Sequence, residues 1–481
     1  MREEALGKDL SDMNIEPDHT APSPVSVEDV SRLLKLRRDK ILQQRQVSED
    51  MQYIDPLTRL TNREYFYTKA FTVLKSKFNR YNTHCILFLI DIADFKLINS
   101  AFGYANADEC LKESAVRLLD GIEKVKGDVS LSRIGSNEFA LLIGSLGMSN
   151  QETLAYANQM LKKIYEKFES PVLMDKQQHQ VKIHTGVTLF LAHEKDLESM
   201  IHEASLALEA AKKHPHRMFC FFEQEMAEAS VFKTELLHAF ENEVEKRVLL
   251  YYQPIVDRSF RTVGYEVLSR WKKNEAHIVT AQDFIPHLEE NGRIVSYDKY
   301  IFEKVCRQIA EWEDEGITDM VDFISINISP ISFMSADFLL FVPKCVEKYG
   351  VDPKSIILEI TENELLSDFE LVERRMKLLS DYGIRFALDD YGTGYASLSY
   401  LHRLPFSELK IDKSLISNID NDKKNRKIVS LIFMMAETIG LKVVAEGVER
   451  EAQRDTLLAM ECDYFQGFLF DSPGMPLKYS L

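Results

Sequence analysis

Two adjacent carboxylates, Asp389 and Asp390, stand between the apolar run Phe386-Ala387-Leu388 and the glycine-rich turn Tyr391-Gly392-Thr393-Gly394-Tyr395. An apolar strand that opens into acids and then into a turn delivers charge to the mouth of a pocket. Side chains alternate along a strand, so both acids can serve one site only where the strand is ending. Carboxylates placed in this way hold cations. Taken alone, an Asp-Asp-x-Gly segment reads equally well as a surface turn. Recurrence decides between the two, because the same half of the chain repeats the pattern: strand-like runs end in Glu266, Asn327, Glu359, Lys410, Glu446 and Gln466. Five carboxylates facing one opening repel one another unless cations sit among them. With neither His nor Cys in the set, oxygen ligation points to Mg²⁺ or Mn²⁺.

The elements that must position these groups are eight strand-like runs, at residues 248–256, 263–271, 323–328, 355–361, 385–390, 408–411, 442–446 and 463–470. Amphipathic helical segments at 297–315, 370–382 and 424–439 separate most of them. Eight strands alternating with helices over about 250 residues predict a (β/α)8 TIM-like barrel at residues 225–481, with its active residues at the strand ends.

Ahead of it, residues 52–224 read as an α/β domain with a mostly antiparallel central sheet. A buried strand at 85–92 ends in an acid, and 131–143 forms a hairpin turning at Gly135-Ser136-Asn137. Residues 1–25, polar and proline-containing, predict a disordered tail. Residues 26–51 carry an apolar helical stripe (Val27, Val30, Leu33, Leu34, Ile41, Leu42, Val47) and predict a linking helix that packs on the next domain or on its copy in a homodimer.

Composition narrows the partners. A formal charge of -17 in 481 residues, without a long basic run, excludes a general nucleic-acid binder, so an anionic ligand needs bound metal. Six scattered cysteines, none at zinc spacing, read as reduced core residues of a cytoplasmic protein. No stretch reaches the roughly 20 apolar residues that span a bilayer.

Two resemblances follow from these motifs. Asp55-Pro56-Leu57-Thr58-x-Leu60-x-Asn62-Arg63, the stretch Asp91-x-x-x-Phe95-Lys96-x-Ile98-Asn99 and the hairpin Arg133-Ile134-Gly135-Ser136-Asn137-Glu138-Phe139 resemble a GGDEF domain, the diguanylate cyclase fold. In that family the hairpin glycines admit GTP, and acids on the hairpin and first strand hold two metals. Here Ser136 replaces a glycine, Asn137 an acid and Ala93 a second acid. A neutral amide cannot supply the missing charge, and a side chain at Ser136 crowds the nucleotide, so no cyclase activity is expected. The resemblance still lets Asp91 and Glu138 hold one metal and Asn99 and Asp108 read guanine. A GTP-sensing module and a packing or dimerisation domain both remain open. The family's inhibitory Arg-x-x-Asp site is not recognisable, since Lys126 and Val129 stand there.

The second resemblance covers the whole C-terminal domain. Gln253-Pro254, Glu266-Val267-Leu268-Ser269-Arg270, Asn327-Ile328-Ser329, Glu359-Ile360-Thr361-Glu362, Asp389-Asp390-Tyr391-Gly392-Thr393-Gly394, Lys410-Ile411-Asp412, Glu446-Gly447-Val448-Glu449 and Gln466-Gly467 look like the EAL domain. That family opens cyclic di-GMP to linear pGpG. Val267 and Tyr391 depart from its usual Ala and Phe without removing a ligand. The resemblance implies that Glu266, Asn327, Glu359 and Asp389 hold one cation and that Asp389, Asp390 and Glu446 hold a second. It implies that Arg270 clamps a phosphate, that Gln253 and Gln466 position the substrate, and that Glu362 braces the loop after Asp390. Lys410, beside the cations, is expected to have its proton affinity lowered, and either it or Glu446 serves as the base. The alternative to a metal-dependent phosphodiesterase is a catalytically silent cyclic di-GMP receptor, but a receptor could discard metal ligands and all are present here.

Overall fold

The computed structural model describes residues 51–73, 83–174, 177–191, 195–214, 217–316, 321–361, 368–392 and 398–475. The expected tail, nearly all of the linking helix and Glu362 lie outside them. Two compact units divide the chain, Met1–Val231 and Phe232–Leu481.

In the first unit five strands, β1 (His84–Ile92), β2 (Asp128–Arg133), β3 (Glu138–Leu146), β6 (Ile183–Leu191) and β7 (Phe219–Phe221), form a sheet in the order β2-β3-β1-β6-β7. Strands β4 (Val172–Met174) and β5 (Gln177–His179) pair separately. The main sheet is mostly antiparallel, as the sequence predicts, and β6 and β7 pair parallel. Strand β1 lies at the centre and is buried from Cys85 to Ile92, which is why it is a continuous apolar run rather than an alternating one. Ile86, Phe88 and Ile90 pack with helices α1 (Phe95–Gly121) and α2 (Asn150–Phe168). Leu87 and Leu89 face α3 (Leu197–Lys213) on the other side. The β2–β3 turn falls at residues 134–137, where the sequence puts it.

Helix α4 (Gln224–Arg247) leads into the second unit. There β8 (Val248–Asp257), β9 (Thr262–Lys272), β11 (Phe323–Asn327), β12 (Ile356–Thr361), β13 (Arg385–Tyr391), β14 (Glu408–Ile411), β15 (Lys442–Ala445) and β16 (Tyr464–Phe465) close into an eight-stranded barrel, with β10 (Ile278–Thr280) added outside β9. Around it run α5 (Ala281–Glu290), α6 (Ile294–Asp314), α7 (Ala336–Tyr349), α8 (Phe369–Tyr382), α9 (Lys423–Ile439) and α10 (Glu451–Ala459).

Two features differ from the repeating parallel pattern that the sequence predicts. Strand β8 runs antiparallel to both neighbours, β9 and β16. The cause is the link: only residues 258–261 join β8 to β9, enough for a hairpin and far too few for a parallel crossover. Strand β16 is also shorter than the predicted run at 463–470. Beyond Phe465 the backbone bonds to Val448 and then turns, with Phe470 N–H donating to Gly467 O.

The barrel floor is apolar. Ile255, Val263, Phe323, Ile357, Ala387 and Val444 form a small cluster with Tyr464. Ile357, Ala387 and Val444 precede Glu359, Asp389 and Glu446 by two residues, so the acids sit one layer above them. Gly264 belongs to this packing: a Cβ there would lie 2.5 Å from the ring of Phe323.

Candidate active site

Parallel register brings the predicted acids to one level. Asn327 on β11 aligns with Glu359 on β12, which aligns in turn with Ala387, two residues before Asp389 on β13. Glu266 is an exception to the strand-end rule. It sits in the middle of β9, opposite Gln253 of β8 and Ser325 of β11, because β9 continues to Lys272 to pair with β8 and β10.

Asp389 and Asp390 share a side by a different route from the expected strand end. The β13–β14 register slips between Leu388 and Tyr391, and Asp390 takes a left-handed conformation with φ of 53°. The irregularity works as a β-bulge that redirects a side chain. The Asp390 N–H donates to Asp389 Oδ1 at 2.9 Å. Ligand oxygens of Asp389, Asp390 and Glu446 then all lie within 4.8 Å of one another.

At the centre is Lys410, 1% exposed. Its Nζ lies 2.7 Å from Glu446 Oε1, 2.9 Å from Glu359 Oε2, 3.2 Å from Glu266 Oε2 and 3.5 Å from Asp389 Oδ1. Burial disfavours the ammonium, but the four carboxylates, Asp389 first, hold its pKa well above the ordinary lysine value. The sequence predicts a lowered proton affinity with cations adjacent; the four carboxylates by themselves act the other way. One ammonium does not neutralise every acid. Burial, with Glu266 next, holds Glu359 well above the usual carboxylate range, and burial lifts Glu446 against the pull of Lys410 to about 8. Burial also raises Asp390, with Asp389 adding to it. Burial by itself would raise Glu266, but Lys410, Gln466 and Asn327 bring it below its ordinary value.

Amides fix the orientation of Glu266. Asn327 Nδ2 donates to its Oε1 at 2.8 Å and Gln466 Nε2 to its Oε2 at 2.6 Å. Gln466 Nε2 also reaches Gln253 Oε1 at 3.1 Å, and Gln253 Nε2 donates to the Asp471 carbonyl at 3.3 Å. Gln253, Glu266 and Gln466 therefore form one buried chain. Arg270 lies apart from the acids, four residues beyond Glu266 and half-buried. It donates to the Ser269 carbonyl at 3.0 Å, and its guanidinium carbon lies 5.6 Å from the ring centroid of Tyr251, a cation–π contact. Tyr251 escapes notice in sequence because an aromatic in a strand reads as core. Two further acids, also missed, hold the turn after Asn327: Asp298 Oδ2 accepts from Ser329 N–H at 3.1 Å, and Glu289 Oε1 from Ser329 Oγ at 2.8 Å.

The donor set suits cations. Glu359 Oε1 is buried without a hydrogen-bond partner, an unusual state for a carboxylate oxygen and the one a cation would relieve. Every candidate ligand atom is oxygen, the preference of Mg²⁺ and Mn²⁺.

In the first unit the candidate nucleotide site is differently arranged. Asp91 and Glu138 face each other across β1 and β3. Asp91 is already engaged at both oxygens, by Asn137 Nδ2 at 2.7 Å and by Lys212 Nζ at 3.0 Å. Asn137 also donates to the Ile92 carbonyl, and Ser136 Oγ to Asn137 Oδ1. Asn99, half-buried, and Asp108, exposed, both lie on α1.

An acid cage around one lysine, inside a TIM-like barrel, gives the barrel a site suited to divalent cations. The chain belongs to the EAL family and carries a GGDEF domain ahead of it: the EAL domain matches residues 234–473, and "Diguanylate cyclase, GGDEF domain" matches residues 52–218. EAL domains are cyclic di-GMP phosphodiesterases that use divalent metals. The chain is similar to the bifunctional diguanylate cyclase/cyclic di-GMP phosphodiesterase MucR of Pseudomonas aeruginosa, 32% identical over 429 residues, covering 89% of this chain and 61% of MucR. It is similar to the cyclic di-GMP phosphodiesterase PdeR of Escherichia coli, 29% identical over 389 residues, covering 80% of this chain and 56% of PdeR. The solved structure of the PaMucR phosphodiesterase in complex with c-di-GMP is 36% identical, covers 50% of this chain and 98% of its own, and superposes with a TM-score of 0.48. The chain spans about half to three-fifths of the length of the curated relatives it matches.

Proposed function

We propose that the barrel hydrolyses cyclic di-GMP to linear pGpG with two divalent cations, Mg²⁺ or Mn²⁺. One observation carries this reading. Five carboxylates gather at Lys410: those of Glu266, Glu359, Asp389 and Glu446 surround its ammonium, and Asp390 adjoins Asp389 and Glu446. Fully ionised, they leave four negative charges, which two divalent cations balance. Glu266, Asn327, Glu359 and Asp389 would hold the first and Asp389, Asp390 and Glu446 the second. Such cations supply charge neutralisation at the phosphodiester and a water nucleophile at neutral pH.

The protein's own groups do the rest. Arg270 offers a planar fork of donors suited to phosphate oxygens, and Tyr251 holds that fork in place. Gln253 and Gln466 keep Glu266 turned inward. Lys410 Nζ and Glu446 Oε1, 2.7 Å apart, stand where they can orient the nucleophile and accept its proton.

The GGDEF domain is read as a regulatory or dimerisation element without cyclase activity. Capture of Asp91 by Asn137 and Lys212 supports a packing role over GTP sensing. The test is substitution: Glu266→Ala should lower cyclic di-GMP turnover by more than about 100-fold, beyond the loss that removing an outer-shell contact brings, with the circular dichroism spectrum unchanged. An undiminished rate removes Glu266 from the ligand set.

A further inference from the structure

Gln453 is 2% exposed, lies on α10 and takes no part in the site described above. Its Oε1 accepts from Glu449 N–H at 2.9 Å and Arg450 N–H at 2.8 Å. Its Nε2 donates to the Ile416 carbonyl at 3.2 Å and the Ser417 carbonyl at 3.0 Å. The four bonds use the full capacity of one side-chain amide. Capping α10 needs only the oxygen. The nitrogen does something else: it reaches the carbonyls at the end of the short helix Lys413–Ile416, which follows β14.

These two segments carry Lys410 and Glu446. The β14–β15 ladder ends at Ile411 and Ala445, with a last bond from Glu446 N–H to the Ile411 carbonyl at 3.1 Å. Beyond that bond the ladder no longer holds the loops together. Gln453 does so, aided by Arg450, whose Nη2 donates to the Ser417 carbonyl at 2.6 Å and meets Asp420 Oδ1 at 2.8 Å. The loops also touch at Gly447, with φ of 67°, where a Cβ would lie 2.5 Å from Lys413 Cβ.

We infer that Gln453 is a positioning residue: by tying the loop after β14 to the loop after β15 it sets the spacing of Lys410 and Glu446, and through Glu446 the second cation position. The inference rests on the two-cation reading.

Gln453→Glu separates the tie from the cap, because a carboxylate still accepts from Glu449 and Arg450 but cannot donate to the two carbonyls. Mn²⁺ binding is read by electron paramagnetic resonance titration of the full chain, alongside kcat and KM for cyclic di-GMP and the melting temperature. Expected is a second Mn²⁺ bound at least about 10-fold more weakly, as outer-shell changes do, a first Mn²⁺ unchanged, and kcat reduced with KM held. Arg450→Ala removes the neighbouring bonds to Ser417 and Asp420 that join the same two loops, should show the same pattern more mildly, and carries the test of the loop tie if Gln453→Glu fails to fold. Two Mn²⁺ bound as tightly as in the wild type, with only a lower melting temperature, would make Gln453 a cap and overturn the inference. A wild-type protein that binds no Mn²⁺ overturns the two-cation reading itself, and the inference with it.

Discussion

Replacing Lys410 with methionine removes, among the described residues, the positive charge at the centre of the acid cage while keeping the length of the side chain. At an effective dielectric of about 20, a pair of unit charges about 3 Å apart interacts by roughly 5 kcal/mol. Lys410 makes four such approaches, between 2.7 and 3.5 Å. Desolvation offsets much of that attraction, and removing one member of a buried charge pair costs about 3–5 kcal/mol in practice. For a domain of this size each kcal/mol moves the melting temperature by about 2–4 °C, so the barrel should melt about 6–20 °C lower in chelator. Divalent cations should close most of the gap, since a site filled at about 100 times its dissociation constant adds about 2.7 kcal/mol. The loss should also shrink at pH 5, well below the value of about 8 to which burial lifts Glu446, since that acid is then protonated and needs no counter-charge. Differential scanning calorimetry of Lys410→Met and wild type, in EDTA and in Mn²⁺, measures all three effects. A variant as stable as the wild type in EDTA at pH 8 would refute the charge balance.

Away from the site, burial lifts Glu408 to about 7 in spite of Arg385 and Lys410. Its neutral form is favoured in the fold, so its contribution to stability is complete below about pH 4.5, declines as pH rises, and is gone above about 7, a change on the order of 3 kcal/mol. Glu408→Gln should flatten the melting temperature of the barrel across that window, and an unaltered pH profile would show that Glu408 ionises freely. In the first unit, incubation with GTP and Mg²⁺ should yield no cyclic di-GMP, and Asn137→Asp alone should not restore synthesis, because Lys212 still pairs with Asp91 and Ser136 still replaces glycine. Chromatographic detection of product from the wild type would overturn that reading of the hairpin.

Much of the barrel can be read from the chain because its strands are buried on both faces and so are short apolar runs ending in polar groups; Glu359, Asp389 and Lys410 stand where that rule puts them. Glu266 was recognisable by type but not by place, since its strand extends to pair with a hairpin partner. The direction of β8 was legible in principle: six residues between the runs at 248–256 and 263–271 cannot hold a crossover. The bulge at Asp390 was not, because a left-handed aspartate has no sequence mark stronger than its frequency in turns. Nor was the set of contacts at Lys410, where four acids from four other strands or strand ends meet at one nitrogen. Gln453 and Tyr251 were hidden for a related reason: each acts through a partner distant in sequence, and its own neighbourhood looks like an ordinary helix start or strand.

The most direct measurement is chromatography of cyclic di-GMP incubated with the purified chain, in Mn²⁺ and in parallel after removal of divalent cations. The account predicts linear pGpG in the first sample and intact cyclic dinucleotide in the second. Intact cyclic di-GMP in both, or pGpG formed equally well in both, would contradict it.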